Sequence, residues 1–310
     1  MNTRRTAPEL VRSAGRYGLR FKSFTLVSEG NWTSEDADWN YKDVPHLNLV
    51  HSQADAIGVA IEDDIIATLN FQRIARIPMP IALANYVASD GSQVYYTTLL
   101  CFVLVVETRI SEHPQSENGL GRAKVETTYH VGGPPVAIWL FPLLRRVLTA
   151  NYRVLMSEDL PMREQRGRLR NAGYRFASDG RPRTFSETTD LTIANVIPPS
   201  PHEAKSVTVD LKLLTSEGTT MTVGEGPGGL RLVRGVGDEV MIFDRVCNHE
   251  GACLDSAMLS NGCLVCPWHA KRVKALGKVL LGVSSVQQLS IAPNYEIVFE
   301  NGSLSITGLP

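Results

Sequence analysis

The chain is poor in the features that mark membrane, nucleic-acid-binding and disulfide-stapled proteins. Its longest apolar run, Leu99 to Val106, is far short of the ~20 residues a transmembrane helix requires, so no membrane span is expected and the run reads as a buried strand. Lysine and arginine nearly cancel aspartate and glutamate, leaving a formal net charge of −1 with no basic block, which argues against nucleic acid as the main partner. Arg4-Arg5 has no apolar stretch behind it, so neither a secretory nor a twin-arginine signal is expected. Five cysteines do not make a disulfide scaffold and suit a reducing cytoplasm. No nicotinamide or flavin motif is visible.

What is present is a globular chain with a core. Its 310 residues are 43% apolar, enough for about two domains. The run Val-Ile-Pro-Pro-Ser-Pro (196–201) blocks regular structure and marks a linker. The expected organisation is a first domain over 1–197, a proline-rich linker over 198–206 and a second domain over 207–310. The second reads as short strands separated by turn signals such as Asn261-Gly262 and Asn301-Gly302, hence all-β. In the first, a short helix is expected around 40–52, strands near 65–76, 94–110 and 121–131, and a long helix from Phe141 to Ala172 with Pro161 inside it. An antiparallel sheet gripping that helix, with an apolar cavity between them, is the natural packing, and makes the fold class α+β. The polar stretch Glu112–Arg122 is expected to be an exposed loop. Arg145, Arg146, Arg163, Arg166, Arg168 and Arg170 are expected on a solvated helix face, or as a docking surface for an acidic electron donor.

Two stretches carry chemistry. Cys247-Asn248-His249 is followed, after sixteen intervening residues, by Cys266-Pro267-Trp268-His269. Two thiolates can hold one iron of a [2Fe–2S] cluster and two imidazoles the other; neutral imidazoles lower the site's negative charge and raise its potential. The competing reading is a Cys₂His₂ zinc site, although zinc fingers usually pair Cys with Cys and His with His along the chain. Cys253 and Cys263, between the two boxes, read as free thiols, with a disulfide between them as the alternative. The second stretch is Asn40-x2-Asp43-x2-His46-x4-His51. Two histidines and a carboxylate on one face of an iron leave the opposite face open, as in non-haem Fe(II) oxygenases. Histidines five apart on a regular α-helix diverge by about 140°, so both reach one ion only if the helix ends or widens between them. Asp43, ahead of Val44-Pro45, would otherwise be an ordinary N-cap.

The two boxes, with Gly251 and Leu254 after the first and Pro267-Trp268 inside the second, resemble the Rieske ligand pattern. Ala270 stands where a glycine usually follows the second histidine. The Asn40–His51 motif resembles the iron site of Rieske non-haem iron oxygenases, with the domain order reversed: here a START-like iron domain comes first and the Rieske domain last. The resemblance implies a Rieske cluster on Cys247, His249, Cys266 and His269. It also implies a mononuclear Fe(II) on His46, His51 and a carboxylate of the long helix, Asp159, with Glu158 as the alternative. Asp43 resembles the residue that links a cluster histidine to an iron-ligand histidine. The implied activity is hydroxylation, dihydroxylation or dealkylation of a hydrophobic small molecule, aromatic compounds included. It would use O₂ and electrons from a separate reductase or ferredoxin, in a ring-shaped homotrimer. The competing reading is a START-like ligand-binding protein with a Rieske electron-transfer or redox-sensing module. A third is redox-independent chemistry, such as cyclisation, in the pocket.

Overall fold

The computed structural model describes residues 4–52, 54–74, 77–113, 122–199, 205–281, 287–290 and 296–309. Contacts gather the chain into two compact units: residues 1–164 with 180–190, and 165–179 with 191–310. Residues 165–179 and 191–197, placed with the first domain by composition, thus cluster with the second unit. Much of the linker, 200–204, and most of the expected polar loop, 114–121, lie outside the described residues.

The first unit is built on a seven-stranded antiparallel sheet. Its strands are β1 (Arg20–Gly30), β2 (Ala54–Glu62), β3 (Ile65–Ile74), β4 (Ile77–Val87), β5 (Gln93–Leu99), β6 (Phe102–His113) and β7 (Arg122–Gly133), in the order β1-β7-β6-β5-β4-β3-β2. Each strand pairs with its sequence neighbour except that β7 returns beside β1, where Phe24 meets Tyr129 in register. One face is covered by helix α1 (Ala7–Gly15), whose Ala7, Leu10 and Val11 pack with Tyr86, Val94 and Val105. Two short helices, α2 (Ser34–Lys42) and α3 (Leu47–Val50), precede the long helix α4 (Phe141–Asn171), which grips the other face. There Tyr152 and Met156 of α4 are buried with Phe24, Phe102, Val106, Tyr129 and Val131, each such burial stabilising by roughly 1.5–3 kcal/mol. This is a helix-grip fold, as the sequence led one to expect.

Three sequence expectations change. The apolar run Leu99 to Val106 is not one strand: it is broken by a turn at Leu100, which has φ 55° and is 85% exposed. The helix expected at 40–52 is instead α2, a 3₁₀ turn over Val44–His46, and α3. Helix α2 starts at the capping box Thr33–Asp36, and Asp43 caps its C-terminal end and makes no N-cap bond. The arginines of α4 are not one solvated face, because Arg163 and Arg166 are fully buried.

The second unit is all-β apart from the last turns of α4 and a 3₁₀ turn. Two four-stranded antiparallel sheets, 205–210/303–309/296–300/287–290 and 220–223/230–234/239–244/277–280, share a core that includes Leu211, Leu230, Leu232, Ile242, Ile297, Phe299 and Ile306. A three-stranded sheet, 258–260/263–265/272–274, carries the connection between the two Cys-His boxes. Cys253 and Cys263 are free thiols. No helix among the described residues is long and apolar enough to cross a membrane.

Candidate metal centres

The first unit draws three ligand atoms to one point. His46 Nε2 and His51 Nε2 lie 3.2 Å apart, and Asp159 Oδ1 is 3.3 Å from each. The chain achieves this by not remaining α-helical: a 3₁₀ turn ends at His46, one α turn follows, and His51 leaves it in an extended conformation. Asp159 arrives on α4, 113 residues beyond His46. Three facial donors at about 2.1 Å from an octahedral ion sit about 3.0 Å from one another, and donors at about 2.0 Å from a tetrahedral ion about 3.3 Å. The observed 3.2–3.3 Å suits one small metal ion and does not choose iron over zinc. The ligands also shift one another's protonation. Burial alone would lower the pKa of His46, but Asp159 and Asp43 outweigh it and raise it to about 10. Burial alone would raise Asp159, yet His46 and His51 hold it far below the usual carboxylate range.

The residues behind the triangle set its orientation. Asp43 Oδ2 faces His46 Nδ1 at 3.5 Å. Glu158 Oε2 sits 2.9 Å from His51 Nδ1, while its Oε1 accepts from the backbone N–H of Ser52 at 3.1 Å and from its hydroxyl at 2.6 Å. Carboxylates on the outer nitrogens of ligating histidines fix tautomer and ring direction. Glu158 therefore occupies a supporting position, and Asp159 the triangle itself. Asn40 donates to Asp159 Oδ1 at 3.3 Å, and Arg163 Nε donates to Asn40 Oδ1 at 2.8 Å. The Arg163 guanidinium lies over the rings of Tyr41 and Trp32, 4.7 and 5.8 Å from their centroids.

The triangle opens on a cavity of about 160 Å³ between α4 and the sheet. Its walls mix apolar groups (Leu47, Leu83, Leu155, Met156), four tyrosine rings (Tyr41, Tyr95, Tyr129, Tyr152) and the polar Asn40, Asn70, Asn85 and Thr127. Tyr152, Leu155, Met156 and Asp159 lie at helical spacing on one face of α4. The lining is mainly apolar, with polar side chains set into it.

In the second unit, Cys247, His249, Cys266 and His269 are all buried, between 0% and 4% exposed. The two Nδ1 atoms of His249 and His269 approach to 3.2 Å. Each box is a tight loop closed on itself: the Gly251 N–H donates to the Cys247 carbonyl at 3.0 Å, and the Ala270 N–H to the Cys266 carbonyl at 2.9 Å. The two thiols are hydrogen-bonded to one another. That bond, together with the His249 backbone N–H, brings Cys247 down to about 7, while its partner's charge and burial push Cys266 up. Two sulfurs at one end and two imidazole nitrogens at the other, with backbone N–H groups aimed at the sulfurs, fit a [2Fe–2S] cluster held asymmetrically.

Residues 206–291 match the Rieske [2Fe–2S] domain. The Rieske domain of this chain thus contains both boxes. No curated protein matches the chain. Among solved structures it is similar to the di-domain ARO/CYC BexL from the BE-7585A biosynthetic pathway (TM-score 0.38, 11% identity, 45% of this chain and 48% of that one). It is also similar to the di-domain ARO/CYC StfQ from the steffimycin biosynthetic pathway (TM-score 0.41, 12% identity, 50% of this chain and 55% of that one). A START superfamily protein from Mycobacterium smegmatis is similar as well (TM-score 0.35, 13% identity, 46% of this chain and 97% of that one). The chain thus spans about half the length of the two di-domain proteins.

Sequence reasoning missed the buried polar framework. Arg163 is four residues from Asp159, the spacing that places side chains on one helix face, so its inward position had a readable signal. Glu250, beside His249, had none. Its Oε2 accepts from Arg166 at 2.5 Å and from Asn195 Nδ2 at 2.9 Å, and the Arg166 guanidinium lies 3.6 Å from the Phe176 ring centroid.

Proposed function

We propose that the chain is a Rieske-type oxygenase. It hydroxylates, dihydroxylates or dealkylates a hydrophobic small molecule, using O₂ and electrons from a separate reductase or ferredoxin. One observation carries the reading: two imidazoles and a carboxylate converge in the wall of a half-open cavity, in a chain that also carries a Rieske domain. When bound, the mononuclear iron supplies the oxygen chemistry and the [2Fe–2S] cluster the single electrons.

The chain's own residues bind, orient and exclude. His46, His51 and Asp159 would hold the ion beside the cavity. Glu158 secures the outer nitrogen of His51, and Asp43 faces that of His46, which would keep the ligand set oriented. Asn40 and Arg163 anchor Asp159 from behind. The tyrosine rings and the Leu155–Met156 surface offer flat apolar walls that shield a bound ring from water.

Metal and acid-labile sulfide per chain test the reading, measured after anaerobic incubation with Fe(II) and removal of excess. About three irons to two sulfides is the expected result. Two irons to two sulfides, or zinc in the third place, would point instead to hydrophobic-ligand binding with a redox module. Asp159→Ala is expected to abolish turnover with the reductase while leaving the cluster's spectrum intact, and retained turnover would remove Asp159 from the ligand set.

A further inference from the structure

The cavity wall carries acceptors that nothing in the protein satisfies. Asn70 is only 6% exposed, lines the cavity, and its Oδ1 has no hydrogen-bond partner. Asn85 Oδ1, on the neighbouring strand, is likewise buried, unpartnered and part of the lining. These positions are not accidents of strand ends. Asn85 pairs directly with Tyr95, Tyr95 with Val106 and Val106 with Tyr129, a row across the inner face of the sheet. Asn70 belongs to the same face of β3 as the buried Ile66 and Thr68, since alternate residues of a strand share a side. At such positions an apolar side chain is the ordinary choice, and a buried amide oxygen without a donor is costly.

Charge and size narrow what complements them. An amide oxygen accepts only, so the missing groups are donors. No lysine or arginine is among the residues lining the cavity, so the donors must come from the ligand. The volume of about 160 Å³ is close to the ~150 Å³ at which a buried cavity accommodates benzene, and four tyrosine rings surround it.

We propose that this cavity selects a single-ring substrate bearing hydroxyl or amino groups that donate to Asn70 and Asn85, rather than a bare hydrocarbon. The inference rests on the oxygenase reading only in taking this cavity as the substrate site.

Isothermal titration calorimetry on the anaerobic, iron-reconstituted full chain tests it with resorcinol and m-xylene. The two share a shape and differ in their donors. The expected result is that resorcinol binds at least tenfold more tightly than m-xylene, although m-xylene is the more hydrophobic. A site built to hydrogen-bond a ligand discriminates in this direction. Asn70→Leu/Asn85→Leu is expected to erase or invert the preference, its folding checked by the melting temperature and the cluster spectrum. Equal or tighter binding of m-xylene to the wild-type chain would overturn the proposal, whatever the variant does. The two readings fail separately. Resorcinol preference without oxygenated product, given reductase and O₂, would sink the oxygenase and leave the pocket assignment standing. Oxidation and preferred binding of m-xylene would do the reverse.

Discussion

The two ligand sets of this chain are assembled on opposite principles. In the Rieske domain all four ligands come from two short loops, each closed by its own backbone hydrogen bonds, within residues 247–270. In the helix-grip unit, His46 and His51 come from one short helical segment, and Asp159 is brought to them by the packing of α4 on the sheet. The first site is local and carries its geometry in its loops. The second is global and exists only when the whole unit is folded. The difference predicts how each should respond to damage: the cluster site to changes in its loops, the triad to changes anywhere that move α4.

The largest expected effect tests whether the sites are independent. Cys247→Ser should eliminate the [2Fe–2S] cluster and its visible absorption, because the thiolate proposed to hold one iron is replaced by a hydroxyl. The third iron at His46, His51 and Asp159 should be retained, counted by iron analysis of the colourless protein. Together with Asp159→Ala, which should lose only the mononuclear ion, this makes a double dissociation. Loss of both metals from the cysteine variant would break the comparison.

A second effect separates the two buried arginines of α4. Arg163 is hydrogen-bonded to the neutral Asn40, lies over aromatic rings and reaches the Asp159 carboxylate only at 4.0 Å, whereas Arg166 meets the buried carboxylate Glu250, 1% exposed, at 2.5 Å. Removing one member of a buried ion pair leaves an uncompensated charge and costs about 3–5 kcal/mol. Arg166→Met should therefore lower the unfolding free energy, measured by urea denaturation, by that much. Arg166→Met/Glu250→Gln, which removes the stranded charge, should recover a large part of it. A double variant no better than the single would mean that Arg166 acts through its stacking on Phe176 rather than through Glu250.

What was legible in the sequence follows the same division. The boxes Cys247–His249 and Cys266–His269 could be read because four ligands in two short motifs leave little to the fold. The long helix Phe141–Asn171 and most strands of the Rieske domain announced themselves by periodicity and turns. The strands β1, β2 and β4 did not. Arg20–Gly30 alternates weakly, and Ile77–Val87 carries two prolines, which on their own argue against a central strand. The Leu99–Val106 run misled because Leu100, an apolar residue, takes the left-handed turn that glycine or asparagine usually occupies. The triad's third member was reached only through the family resemblance. Nothing local distinguishes Asp159 from Glu158, and it is the packing of α4 that turns one toward the histidines and the other toward Ser52. Asn70 and Asn85 were invisible for the same reason: which face of a strand looks inward is a property of the sheet.

A smaller effect sharpens the contrast within the triad. Glu158 holds His51 Nδ1 at 2.9 Å without entering the triangle. Glu158→Gln keeps the shape but weakens the hold on the imidazole, and loss of such a supporting carboxylate typically costs 10–100-fold in metal affinity. Fe(II) titration should show a loss in that range, well short of the loss in Asp159→Ala. Equal losses would make Glu158 a ligand in its own right.

The smallest effect lies within the Rieske domain, between its two loops. Both place the fourth residue after the leading cysteine at positive φ: Gly251 at 89° and Ala270 at 51°. At Gly251 a methyl group would meet Leu169 Cδ1 at 2.6 Å, so that position has room for no side chain. Ala270 sits in the left-handed region, where an L-residue costs roughly 1–2 kcal/mol. Glycine there removes the strain but adds about 0.5–1 kcal/mol of unfolded-chain entropy. The balance predicts that Ala270→Gly stabilises the protein by about 0.5–1 kcal/mol, seen as a small rise in the urea midpoint with an unchanged slope and an unchanged cluster spectrum. A fall in the midpoint would mean that the alanine methyl contributes packing beside His269 that outweighs its backbone strain. The two loops would then be alike in backbone only, with one shaped by the absence of a side chain and the other by its presence.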